Sequence, residues 1–277
     1  MDLSKNTLVV GLLCLFFLSL SGQNKIMTYN LRFNNPNDSE NWWENRKEDV
    51  VKLIDYYNPD ILGIQEGLYE QVSFIDKELS EYHYIGVGRD DGKQKGEYTA
   101  IFYNKSNYEL IKTETFWLSE TPNKVSIGWD ASMERICTYG VFKNLKDQSK
   151  LHIFNAHFDH IGPKARKMSA ETIRQKIDDF DIGNEKIIVM GDFNSAPSDE
   201  PIQLFLTFLE DGLSNSKKGL YGPQGTFNSF DSTLIPKNRI DYIFTKNIKE
   251  IKNYRHINDK RNNGLCISDH LPVIIEF

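Results

Sequence analysis

Short apolar runs that end in polar residues recur along almost the whole of this sequence, and they restrict its fold more than any other feature. They read KIMTYNLRF, DILGIQE, YHYIGVG, YTAIFYN, RICTYGVF, KLHIFNAHF, KIIVMGDF, RIDYIFT and HLPVIIEF. Each is short and rich in β-branched and aromatic residues, so each predicts a strand. Between some of them the apolar spacing turns helical. Residues 46–57 are amphipathic and stop before Asn58 and Pro59, residues 68–79 are similar, and residues 164–180 form the longest such stretch. The early strands alternate with helices, whereas the middle of the chain runs strand after strand. That order argues against a doubly wound parallel sheet. It predicts an α/β fold of two mixed β-sheets packed face to face with helices outside.

No repeat, low-complexity tract or Pro/Ser-rich linker divides the chain, so one domain is expected over residues 23–277. With 39% hydrophobic and 26% charged residues, that domain has ample core material. Residues 1–22 read as a targeting segment. Lys5 supplies a positive start, residues 8–20 are apolar apart from Gly11 and Ser19, and Ser19, Ser21 and Gly22 supply small residues before a cleavage expected near Gln23. A run of 13 residues is too short to span a bilayer comfortably. The expectation is export to a secreted or periplasmic location, without stable membrane insertion after cleavage. Cys14 sits mid-run, away from where a lipidation site would lie. Cys137 and Cys266 remain, both in apolar, strand-like stretches where a free Cys is usually a small core residue, and a bridge between them is the less favoured reading.

Polar residues gather where the strands run out. Asn30 follows IMTY, Gln65 and Glu66 close DILGI, His157, Asp159 and His160 end KLHIFNAHFDH, and Asp192 and Asn194 end KIIVMGDFN. Asp241 lies inside RIDYIF, and Asp269 and His270 open the last strand. Residues two apart on a strand point the same way, so Asp192 and Asn194 share a face, as do Asn155, His157 and Asp159. Taken singly, an Asp or Asn after a strand is most often a turn residue and a lone His most often a hydrogen-bonded structural group. Together they form a row of carboxylates, amides and histidines at the rim of a sheet sandwich, where side chains from several strands converge. Oxygen ligands without a Cys/His set suit a hard cation such as Mg²⁺, Mn²⁺ or Ca²⁺ rather than Zn²⁺. A hard cation beside histidines is suited to attack on phosphorus, with one group aligning water and another protonating the leaving oxygen.

The ordered motifs TYNLR, QE, NAHFDH, GDFNS, RIDYIF and SDHLPV closely resemble the endonuclease/exonuclease/phosphatase superfamily, which includes DNase I-like nucleases, AP endonucleases, deadenylases, sphingomyelinases and inositol polyphosphate 5-phosphatases. The resemblance covers essentially the whole chain after residue 22, and GDFN combined with a terminal SDHxPV is specific. It implies the four-layered α/β sandwich of two packed mixed β-sheets flanked by helices, in agreement with the strand reading. It also implies a phosphoester hydrolase that needs Mg²⁺ or Mn²⁺. By position in the motifs, Asn30, Glu66 and Asp269 are the implied metal ligands. Asp192 and Asn194 match the pair that orients water and phosphate, and His270 matches the histidine on the scissile phosphate. His157 is the implied general acid, Glu97 in GEYTAIFY its carboxylate partner, and Asp241 the aspartate near the leaving group. Arg135 in MERICTY falls where related nucleases place a phosphate-contacting arginine. Asn155 is a further substrate-binding candidate, and Asp159 serves either the site or only a neighbouring residue or loop.

The substrate is less constrained. The strings GDFNS and NRIDYIF depart from those of inositol 5-phosphatases, and Lys237 to Tyr242 match only the end of the AP endonuclease segment. WWENRK, FWLSETP and GWDA resemble strings of uncharacterised secreted bacterial members. Trp43, in the loop 41–46, and Trp129, in the loop 119–130, either cap the core or form an aromatic wall for a base, a sugar or a flat leaving group. The net charge of −6 and the short basic clusters, such as Lys164, Arg166 and Lys167, give little grip on a long polyanion. A monomer acting on a small or lipid-linked phosphoester is therefore expected. Extracellular cleavage of DNA or RNA is the alternative, and a non-catalytic binding protein on the same fold a remote one.

Overall fold

The computed structural model describes residues 24–277, so the expected leader lies outside the described residues. In chain order the elements are β1 (Lys25–Asn30), α1 (Lys47–Tyr57), β2 (Ile61–Gln65), α2 (Tyr69–Glu78), β3 (Tyr82–Ile85), β4 (Ile101–Asn104), β5 (Tyr108–Trp117), β6 (Ile136–Asn144) and β7 (Lys150–His157). They continue with α3 (Pro163–Asp179), β8 (Lys186–Asp192), α4 (Glu200–Phe205), β9 (Glu210–Asp211), β10 (Leu220–Tyr221), β11 (Asp241–Lys246), β12 (Asn253–His256) and β13 (Val273–Glu276). Two sheets result, ordered β10-β12-β13-β1-β2-β4-β3 and β5-β6-β7-β8-β11-β9. Both are mixed: β1 pairs β2 and β7 pairs β8 in parallel, while β1 pairs β13 and β8 pairs β11 antiparallel.

Strand periodicity sorts the side chains into layers. Alternate residues Ile26, Ile61, Ile153, Ile188, Met190, Ile243, Val273 and Ile275 fill the space between the sheets. Their neighbours on the opposite face, Met27, Tyr29, Leu62 and Ile64, pack under α1 and α2 against Val50, Ile54, Val72 and Ile75. On the second sheet Phe154, Val189 and Phe244 pack under α3 and α4 against Ala170, Ile173 and Phe205. The result is the expected four-layered sandwich. The facing strands approach closely at Gly63, where an added Cβ would lie 2.6 Å from Met190 Cε and 2.8 Å from the Asn155 side chain.

The periodicity missed β5, the long edge strand of the second sheet. Its exposed or half-exposed residues Glu109, Lys112, Thr113 and Glu114 break the apolar run, and its register shifts between Leu110 and Lys112. Charged residues and a bulge are common protections for a sheet edge, and they also erase the sequence signal. Cys137 and Cys266 are free and buried.

Candidate active site

The inward-facing positions of the central strands turn from apolar to polar at one end of the sandwich. On β1 the row Ile26, Thr28 ends at Asn30; on β7 Ile153 and Asn155 lead to His157; on β8 Ile188 and Met190 lead to Asp192; and β11 starts its row with Asp241, directly opposite Asp192. These ends, with the loops that follow, line a cleft of about 420 Å³. Glu66, Glu97, Arg135, His157, Asp192, Asn194, Asp269 and His270 all line it, as the sequence implies.

Asp192 is the hub. Its Oδ2 accepts a hydrogen bond from Asn30 Nδ2 at 3.0 Å and lies 3.6 Å from His157 Nε2 and 3.7 Å from His270 Nε2. Its Oδ1 accepts the Asn194 N–H at 2.9 Å. Burial, then the neighbouring Asp241, raise its proton affinity well above that of an ordinary carboxylate. Asp269 is raised as well, by burial above all and with Glu66 adding to it. A buried group of carboxylates held at this cost is what a divalent cation relieves. Ligand atoms of Glu66, His157 and Asp192 lie within 4.8 Å of one another, as do those of Asp192, Asp241 and His270. The carboxylates among them suit a hard divalent ion, so the residues fit a metal centre.

Asn30 lies between two of the cleft's carboxylates. Its Oδ1 accepts the Arg32 N–H at 2.9 Å, while Nδ2 donates to both Glu66 Oε1 and Asp192 Oδ2 at 3.0 Å. It clamps the two carboxylates together. Glu66 itself has a left-handed backbone, φ 61°. Its Oε2 accepts the Phe33 N–H at 3.1 Å, which fixes where its carboxylate points.

The two histidines differ. His270 Nδ1–H donates to Asp241 Oδ2 at 2.9 Å; burial opposes its charged form, but Asp241 and Asp192 outweigh burial and raise its proton affinity well above normal. Asp241 therefore sits behind His270 and orients it. His157 is pushed the other way, first by burial and then by Arg135 and Arg89. Its Nε2 accepts from Asn194 Nδ2 at 3.2 Å, and its Nδ1 is 3.8 Å from Glu97 Oε2, too far for a hydrogen bond. Glu97 instead receives both arms of Arg89, at 2.7 and 2.9 Å. Burial and the two arginines thus disfavour the protonated form of His157.

Arg135 donates from Nε to Asp159 Oδ2 at 3.3 Å and from Nη2 to His160 Nδ1 at 2.9 Å, leaving Nη1 buried without a partner. Burial opposes the charge on Asp159, but the N–H groups of Gly162 and Ile161 and the Ser132 hydroxyl hold its carboxyl down at about 2. Asp159 thus locks Arg135 and the start of α3 in one frame.

Three expected substrate contacts fall elsewhere. Asn155 is fully buried between the sheets, donating to the carbonyls of Ile64 and Ala100 at 2.9 Å and accepting from Gln65 Nε2. Trp43 is 2% exposed and packs edge-on against Phe74 under the Arg46 guanidinium. Trp129 is half-buried in its loop and does not line the cleft. Contributors that sequence reasoning did not single out are Arg32, Phe33, Met133, Phe227 and Ile240. Arg32 is fixed by Asp38 at 2.9 and 3.1 Å and lies over the Phe33 ring; Phe227 meets the His270 ring at 5.0 Å. The one available signal was position, since Arg32 and Phe33 follow Asn30 in TYNLRF.

Comparison with known proteins agrees with this geometry. The sequence profile of the Endonuclease/Exonuclease/phosphatase family matches residues 27–270. The solved structure of a mannosyl-6-phosphatase from Bacteroides thetaiotaomicron is 36% identical, with a TM-score of 0.87 over 91% of this chain and 98% of that one. A family protein from Bacteroides vulgatus is 35% identical with a TM-score of 0.86, covering 92% of this chain and 98% of that one. An uncharacterised protein of Acanthamoeba polyphaga mimivirus is 28% identical over 255 residues, 85% of this chain and 92% of its own length. The matched span runs from β1 to His270 and holds every cleft residue, and the chain belongs to the endonuclease/exonuclease/phosphatase family of phosphoester hydrolases.

Proposed function

We propose that this enzyme hydrolyses a small phosphoester, with a sugar phosphate monoester as the best-fitting class, using Mg²⁺ or Mn²⁺. The observation that carries the reading is the cleft itself. It is compact, and it sets Phe33, Phe227 and Met133 beside Arg135, whose Nη1 has no protein partner. Such a space suits one phosphoryl group and one ring-sized leaving group better than a long duplex. The likeness to a mannosyl-6-phosphatase along almost its full length supports the same class. Arg135 Nη1 would bind a phosphoryl oxygen, Asn194, bonded to His157 Nε2 and the Phe158 carbonyl, would position that histidine, and Asp192 would align water and take its proton. His270, held by Asp241, would donate from Nε2 to the developing charge. Glu66 and Asp269 would hold the cation, which would supply Lewis-acid polarisation when bound.

A panel of sugar phosphates, nucleotides, an aryl phosphodiester, phospholipid, single-stranded RNA and plasmid DNA, each with metal and with EDTA, tests the reading. The expected result is fastest turnover of a sugar phosphate, abolished by EDTA and restored by Mg²⁺ or Mn²⁺. Rapid plasmid or RNA degradation that collapses with moderate salt would establish a nuclease instead. Activity that survives chelation would overturn the metal chemistry. The leader-like features of residues 1–22 support action outside the cytoplasm. N-terminal sequencing of material from the host should begin near Gln23, and an intact Met1 in the cytoplasm would refute export.

A further inference from the structure

A concavity larger than the cleft lies away from it. It encloses about 730 Å³ between the C-terminal end of α1 and the outer face of β10, β12 and β13. Lys25 lines it and Asn30 belongs to the cleft's carboxylate cluster, and the two stand at opposite ends of β1. At ~3.3 Å per residue that is a separation of about 17 Å.

Cross-strand register builds its floor. Tyr221, Arg255 and Ile274 form one row across β10, β12 and β13, and Asn253, Glu276 and Lys25 form the next across β12, β13 and β1. The walls are aromatic. Tyr56 is 80% exposed and Tyr221 70% exposed, so neither ring contributes much to the core. The Tyr57 ring meets Tyr56 edge-on at 5.1 Å, and the Arg255 guanidinium lies 5.2 Å from the ring centroids of both Tyr57 and Tyr221. Asp259 takes the Tyr57 hydroxyl at 3.0 Å and one Arg255 nitrogen at 3.4 Å, while Arg255 Nε is buried without a hydrogen-bond partner. Lys218 adds an exposed cation, and Asn253 donates to the Glu276 carboxylate.

This volume and this mix of ring faces with a few polar groups are typical of a ligand site. Exposed tyrosine faces stack on the C–H face of a sugar ring, Asn253 and Glu276 suit hydroxyls, and Lys25, Lys218 and Arg255 suit a negative substituent. We propose that the groove is a second binding site for an oligosaccharide carrying phosphate groups, which it anchors apart from the reacting end. The choice of a sugar chain over a nucleic acid rests on the substrate class proposed above.

The test titrates the purified protein in EDTA with a mannose-6-phosphate-bearing oligomannoside, with its dephosphorylated form, and with oligo(dT). It compares wild type with the Tyr56→Ala/Tyr221→Ala double variant and with Lys218→Glu. The rings and the lysine are exposed, so these variants keep the fold, and turnover of a small aryl phosphate should stay unchanged. The double variant should weaken binding of the phosphorylated oligosaccharide about tenfold. Lys218→Glu should weaken it several-fold and leave the dephosphorylated form unaffected. If the oligosaccharide binds through the tyrosines but is not dephosphorylated when metal is added, the groove stands and the substrate reading fails. If it is dephosphorylated and binding ignores the double variant, the groove is overturned and the substrate reading stands. Tyrosine-dependent binding of oligo(dT) alone would overturn the sugar assignment.

Discussion

His157 and His270 approach the same oxygen of Asp192, yet their surroundings pull their protons in opposite directions. Asp241 makes much of the difference, because it hydrogen-bonds His270 Nδ1 at 2.9 Å, whereas Glu97 stands 3.8 Å from His157 Nδ1. His270→Ala should lower kcat by about 10²–10⁴-fold, the usual range for a positioned proton donor. Asp241→Asn leaves the shape of the pair but removes the charge that keeps the proton on His270. The alkaline limb of the kcat–pH profile should therefore move to lower pH, a shift that mere loss of stability would not produce. An unmoved limb would show that His270 does not act as a protonated group. The sequence made most of these residues legible, since Glu66, Asp192, Asn194, His157 and His270 stand where apolar runs end. It did not show depth. Asn155 shares a face with His157 but lies two residues back, about 7 Å further between the sheets, where an amide ties strands together and meets no substrate.

At the scale of elements, Asn155 joins β7 of one sheet to β2 and to the segment before β4 of the other. Removing it takes one buried hydrogen bond from each of two carbonyls and from the Gln65 amide. Asn155→Ala should cost about 2–3 kcal/mol, read as a fall in the denaturant midpoint, with kcat per folded molecule little changed. A drop in kcat without loss of stability would return Asn155 to the list of substrate contacts. The three longer helices, α1, α2 and α3, were legible to within a residue or two because their apolar faces repeat and their ends carry stop signals, as at Asn58, whose left-handed φ of 44° closes α1 before Pro59; the short α4 was not. The strand β5 was not legible because an edge strand has only one neighbour and no need of a continuous apolar run. Trp43 failed for a related reason. A short 3₁₀ turn, Trp43–Asn45, swings its ring inward onto α2, and a turn of three residues has no periodicity to read.

Across the whole molecule, the mixture of parallel and antiparallel pairing was legible only as a class. The spacing of strands and helices pointed to two covered sheets, but nothing local in the sequence announces that β1 lies between β2 and β13. That neighbour relation has a consequence for the timing of assembly. Residues 25–28 pair with residues 273–276, so the first sheet remains open until almost the last described strand has been synthesised and released. Asp269 and His270 arrive in that same final stretch, whereas Asn30 and Glu66 are made at the beginning. The nascent chain therefore carries the two halves of its reactive centre at opposite ends. Pairing so distant in sequence is slow to form. The reactive centre can assemble only once Asp269 and His270 have joined the sheet that carries Asn30 and Glu66.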